Sequence, residues 1–201
     1  MDSPIHPNFT SLAYALILLR EAGYPCVFYG DMFGICEPFV SPPTCGGRLA
    51  DLILARDLYA YGEQQDYFQE ASCIGWVRKG MQEGHGSQAA GMAVVMTWGR
   101  EDVISHHDQI PLKRPGWMRR LSSLSGNFGK LRSSSHQHQR KMNVGAQHAG
   151  EVWTDILGKA LHRVIIGHGG YGVFPCQSNS VAVYVSESVE GRERFPASVT
   201  I

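Results

Sequence analysis

Eight consecutive residues, Leu12 to Leu19, carry nothing more polar than the hydroxyl of Tyr14. The pattern predicts a helix over Asn8–Ala22: Asn8 or Thr10 can cap it, no Gly or Pro interrupts it, and Gly23 stops it. A helix that is apolar on nearly every face has to lie between other elements, not on a surface. It is too short to span a bilayer, which takes about 20 residues. The next stretch, Gly23 to Asp31, is short, continuously apolar and rich in β-branched and aromatic residues, the pattern of a buried parallel strand. A loop from Gly34 to Gly47 follows, with three prolines and two cysteines, and then a second helix over Leu49–Tyr61. Helix, buried strand, loop and helix make the grammar of an α/β fold, yet one strand cannot make a sheet.

From Asp66 the grammar becomes β. Strands are expected at Cys73–Arg78, Gly91–Trp98, Glu151–Leu157, Arg163–Ile166 and Val181–Val185, separated by Gly-rich turns as in an antiparallel sandwich. Residues 100–140 interrupt this order with Ser-rich sequence. Between Asp108 and Glu151 there is no acidic residue, but Lys113, Arg114, Arg119, Arg120, Lys130, Arg132, Arg140 and Lys141 all fall there. The chain as a whole is neutral, with 18 basic and 18 acidic residues. Without those eight, 10 basic residues face 18 acidic ones, a net charge of −8. The segment reads as a flexible insert foreign to its surroundings, with a retained intron as its expected origin.

The five cysteines, Cys26, Cys36, Cys45, Cys73 and Cys176, form no C-x-x-C pair, which argues against a zinc ribbon or a thioredoxin-type centre. Reduced thiols are expected, with a Cys36–Cys45 bridge open only in an oxidising setting. Met1-Asp2-Ser3-Pro4 lacks the basic start of a secretory signal, so the expected location is cytoplasmic. His106-His107-Asp108 and His136-Gln137-His138 have metal-like spacing without a regular scaffold, and are read as adventitious imidazoles. The basic run has no nucleic-acid motif and little aromatic interleaving beyond Trp117 and Phe128, so neither nucleic acid nor membrane is an expected partner. Trp76, Trp98 and Trp153 read as core residues in preference to a sugar-stacking platform.

Several stretches together resemble the α-amylases of glycoside hydrolase family 13, of the intracellular fungal and liquefying bacterial types. They are Leu12–Leu18 running on through Gly23-Tyr24-Pro25-Cys26-Val27-Phe28-Tyr29-Gly30-Asp31-Met32-Phe33-Gly34, Leu54–Gln64, Cys73–Arg78, Met142–Gly145, Ala149–Ile156 and Tyr171–Pro175. The resemblance covers roughly residues 9–99 and 141–187. It implies an α/β remnant plus an all-β part: the last helix–strand–helix portion of a (β/α)8 barrel over residues 1–62, with Val27–Tyr29 as the eighth strand. An antiparallel, Greek-key-like β-sandwich follows over 63–187, interrupted at 100–140, with a tail over 188–201.

What the resemblance implies about function follows from that placement. Retaining glycosidases need two carboxyl groups about 5–5.5 Å apart, and barrel enzymes place such groups at the C-terminal ends of different strands. The family's nucleophile, acid/base and third carboxylate belong to strands four, five and seven, outside the matched region, so no catalytic residue is expected here. Loss of such groups removes roughly 10⁴–10⁶ in rate. Tyr29, Gly30 and Asp31 are expected to line the substrate cleft of a complete enzyme, whose partner is an α-glucan. Calcium, a cofactor of some relatives, is not expected in this chain: the loop Phe68–Cys73 offers Glu70 alone, and a hard cation wants several oxygen ligands. The alternative is a stand-alone carbohydrate-binding or interaction module built on the sandwich.

Overall fold

The computed structural model describes residues 5–37, 40–81, 83, 85–98 and 138–196. Helix α1 (Thr10–Leu19) follows a 3-10 turn at Pro7–Phe9 and ends three residues before the expected stop. Arg20 turns to extended backbone because its guanidinium reaches Asp66 at 2.8 Å and lies over the Phe68 ring. The carbonyls at the helix end find side-chain donors: the Trp76 indole N–H donates to Leu19 O at 3.2 Å, and Arg56 donates to Leu18 O.

The run Gly23–Asp31 is not a strand, contrary to the sequence reading. Residues 24–28 join no ladder, and Tyr29–Phe33 forms a short helix, α2. A strand needs a hydrogen-bonded neighbour, and among the described residues no element offers one here. Tyr24, Phe28 and Tyr29 are exposed as a result. Helix α3 spans Leu49–Tyr59, and a single turn, α4, spans Ser87–Ala90. Among the described residues no helix is long and apolar enough to cross a membrane.

Eight strands are described: β1 (Gln64–Tyr67), β2 (Cys73–Arg78), β3 (Met92–Thr97), β4 (His138–Asn143), β5 (Val152–Asp155), β6 (Val164–Ile165), β7 (Tyr171–Cys176) and β8 (Ser180–Ser186). Six pair in the order β1-β2-β3-β8-β5-β6, and β4 pairs with β7 in a second sheet. All of these ladders are antiparallel. The five expected strands are all present.

Alternation along the central strands splits the core in two. Trp76, Met92, Val94, Met96, Val181, Val183 and Val185 pack with Leu12, Leu19, Leu52 and Tyr59 of the helices. Val77, Ala93, Val95, Ala182 and Tyr184 pack with Met142, Phe174 and Cys176 of the second sheet. Strands β3 and β8 are therefore buried on both faces, which is why they read as unbroken apolar runs. Gly75 lets the second sheet approach: a Cβ there would lie 2.6 Å from Met142 Sδ.

The insert expected over 100–140 overlaps β4 at its end. His138, Gln139 and Arg140 pair with Cys176, Pro175 and Phe174, so these three residues are strand. Their polar sequence hid it: only Arg140 and Met142 of β4 point inward. The rest of the segment, including His106-His107-Asp108, His136, Trp117, Phe128 and the basic residues from Lys113 to Arg132, lies outside the described residues.

After β8 the chain crosses back to the helices. Tyr59 donates to Glu190 O at 3.0 Å, and Phe195 packs against the Tyr59 ring with centroids 6.0 Å apart. Buried Arg192 donates to Thr154 Oγ1 and to Pro196 O, both at 3.1 Å. Residues 190–196 thereby join α3 to β5.

Candidate functional site

The residues singled out as cleft-lining, Tyr29, Gly30 and Asp31, are the first three residues of α2. Tyr14, on the buried face of α1, donates its hydroxyl to Asp31 Oδ2 at 2.5 Å and accepts from the Phe28 amide at 3.4 Å. Burial, reinforced by the bond to the Asp31 carboxylate, pushes the Tyr14 phenol up to about 12. The Asp31 carbonyl is held from the other side, by the Thr44 amide at 2.8 Å and the Thr44 hydroxyl at 3.3 Å. Asp31 is thus fixed at both its backbone and its side chain.

Gly30 contributes room and no side chain: a Cβ there would come within 2.6 Å of both Ile35 Cγ1 and Phe28 Cε1. Tyr29 projects outward, 71% exposed, and its ring lies 4.8 Å from that of Phe33, one helical turn away.

These groups border an open concavity of about 1330 Å³. Tyr14, Tyr29 and Asp31 stand on one wall, and Arg48, Lys159 and Asn179 come from separate loops elsewhere on it. Gly30 lies behind the wall. No local pattern marks Arg48 or Lys159. Asn179 had one: a Ser-Asn turn, with Asn179 at φ +51 between β7 and β8. Among the described residues lining the concavity Asp31 is the only carboxylate, whereas acid–base hydrolysis of a glycoside takes two.

No family model matches the chain. Individual relatives do. An α-amylase of Geobacillus stearothermophilus is 36% identical over 185 residues, covering 92% of this chain and 26% of that protein. An α-amylase of Bacillus licheniformis is 35% identical over 92% of this chain and 29% of its own length. The cytoplasmic α-amylase of Escherichia coli K12 is 29% identical over 94% of this chain and 32% of its own length. The chain is homologous to part of the α-amylases. It spans about a quarter to a third of the length of these relatives, in keeping with a C-terminal fragment of a family 13 amylase.

At 92% of the chain, the amylase homology takes in both the helical layer and the sheets. The other candidate residues fall into place on that scaffold. Glu70 forms an ion pair with Arg140 at 2.8 Å, and Arg140 also donates to Tyr67 O and Gln69 Oε1, so this loop is tied to β4. Among the described residues no cluster of three or more His, Cys, Asp or Glu side chains is placed to hold a metal. His138 is part of the β4–β7 ladder. Trp76 and Trp153 are fully buried, whereas Trp98 is 57% exposed and packs on Phe9 with ring centroids 4.8 Å apart. Cys36 and Cys45 are both free thiols, as are the other three cysteines. Burial pushes the thiols of Cys45 and Cys73 upward and that of Cys176 up to about 12.

Proposed function

We propose that this chain is the C-terminal portion of an α-amylase-type glycosidase acting on internal α-1,4-glucosidic bonds of starch- or glycogen-type glucans. Residues 1–62 are the end of its catalytic barrel, residues 63–187 its sandwich, and 188–201 a tail. Tyr29, Gly30 and Asp31 border the glucan cleft of the complete enzyme. The chain alone is inactive, and calcium, where relatives use it, belongs to the complete enzyme. The observation that carries this reading is the homology itself, which takes in nearly the whole chain and only about a quarter of the α-amylases.

Sedimentation with insoluble starch tests the assignment against a stand-alone binding module. The chain is expected to stay in the supernatant, because it represents only about a quarter of an α-amylase. Saturable co-sedimentation that is competed by maltoheptaose would overturn the fragment reading in favour of the module.

A further inference from the structure

The segment that follows β8 is held to the fold in a different way from the strands. Among the described residues its backbone hydrogen bonds are local: the Val189 N–H donates to Ser186 O, that of Arg192 to Val189 O, that of Arg194 to Gly191 O and that of Phe195 to Arg192 O. It joins no ladder, so none of the sheet's pairing has to break for it to leave. A small set of side chains holds it down instead. Tyr59, fully buried at the end of α3, donates its hydroxyl to Glu190 O at 3.0 Å and lies against the ring of Phe195, itself buried. Buried Arg192 donates to Thr154 Oγ1 at 3.1 Å and to Asp155 O at 3.5 Å, both on β5. Val189 adds apolar contact with the helix-side core. Gly191, at φ +86, lets the backbone come this close: a Cβ there would lie 2.9 Å from Leu58 Cδ1 and 3.2 Å from Tyr59 Oη.

The rest of α3 has anchors of its own. Arg48, just before the helix, donates to Leu157 O, and Arg56 donates to Leu18 O. Leu49, Leu52 and Ala55 are buried in the same core as α1. The segment therefore bears on the last turn of α3 and on β5. Its charged side chains Glu190, Glu193 and Arg194 are exposed already, so their hydration does not resist its release. Parts of a protein held by few contacts and outside the ladders open at lower free energy than the whole fold. We propose that residues 189–196 are a latch that opens as a unit, uncovering the last turn of α3 and Thr154 of β5 while the sheet ladders stay closed. Closed, the latch covers Tyr59 and ties α3 to β5; open, it brings the Tyr59 and Phe195 rings and the Arg192 guanidinium into water. It uses none of the residues assigned to the glucan cleft.

Amide hydrogen exchange of the 201-residue chain, read by mass spectrometry of peptic peptides, is the test. In the unsubstituted chain the amides of Val189–Phe195 should exchange together, at least tenfold faster than those of β3 and β8. With the double substitution Arg192→Ala and Phe195→Ala, exchange across Ala55–Tyr61 is expected to rise at least tenfold, while β3 and β8 stay within twofold of the unsubstituted chain. Tyr59→Phe removes the bond to Glu190 O and keeps the ring, so a smaller rise over the same residues is expected. Exchange of Val189–Phe195 as slow as that of β8, or unchanged exchange across Ala55–Tyr61 in the double variant, would overturn the latch. So would a rise shared equally by β3 and β8, or a double variant too unstable to fold, because the segment would then belong to one cooperative unit with the sheet.

Discussion

Replacing Asp155 is the sharpest probe of how the sheets are held together. Its carboxylate is almost wholly buried and accepts four backbone N–H groups: Leu157 at 3.0 Å and Val183 at 2.9 Å on Oδ1, Lys159 at 2.8 Å and Ala160 at 2.9 Å on Oδ2. The residue closes the turn after β5 and ties it to β8. Burial pushes its carboxyl above the usual carboxylate range, and the four donors pull part of that shift back. In Asp155→Ala the amides of Leu157, Ala160 and Val183 lose their acceptor in buried surroundings, while the half-buried Lys159 amide can turn to water. An orphaned buried donor costs about 1–3 kcal/mol. Relief of the buried charge offsets part of three such losses, leaving about 3–5 kcal/mol, a large share of the roughly 5–15 kcal/mol of a typical domain. Asp155→Asn keeps Oδ1 and turns an NH2 toward Lys159 and Ala160, so about half the effect is expected. Urea denaturation followed by tryptophan fluorescence measures both, with the midpoint falling and the slope unchanged. An Asp155→Ala loss below about 1 kcal/mol would refute the argument that these four donors depend on one side chain.

Trp76→Phe removes the donor to Leu19 O together with part of a fully buried indole, and should cost about 2–4 kcal/mol in the same titration. With Ellman's reagent at pH 8, the exposed Cys26 and Cys36 should react first and Cys45 more slowly; Cys73 and Cys176, buried and with thiols pushed upward, should react only after denaturation. Tyr14 and Tyr59 ionise near 12 in the fold against an ordinary value of 10, so the folded chain holds these protons more tightly than the unfolded one. Stability should therefore fall as pH rises from 10 to 12, and Tyr14→Phe should flatten part of that fall in melting-temperature profiles. A shortened chain starting at residue 63 would bare Trp76, Met92, Val94 and Val183, which α1 and α3 cover in the fold; dye binding by 8-anilinonaphthalene sulfonate should rise several-fold over the 201-residue chain.

The parts of the fold that were legible in the sequence are those whose residues carry their own instructions. Strands β2, β3 and β8 are apolar runs bounded by turn residues, and helix α3 starts at the expected Leu49. Strands β1 and β4 were not legible, because Gln64–Tyr67 and His138–Asn143 are mostly polar and become strands only by pairing with β2 and β7. Residues 23–31 failed in the opposite sense: the apolar pattern asks for a buried strand, and no neighbour among the described residues pairs with it. At the candidate site, the family resemblance pointed to Tyr29, Gly30 and Asp31, but nothing local revealed that Tyr14, 17 residues earlier, holds the Asp31 carboxylate. Arg48 and Lys159 reach the same concavity by tertiary placement alone.

The central claim is that this polypeptide is an α-amylase fragment without its own hydrolytic machinery. The release of reducing ends from soluble starch by the purified 201-residue chain, followed over hours against a buffer blank, tests it most directly. The account predicts a rate equal to the blank. A rate that rises in proportion to the concentration of the chain and is abolished by Asp31→Asn would contradict it, because Asp31 is the only carboxylate among the described residues lining the concavity and would then be catalysing hydrolysis.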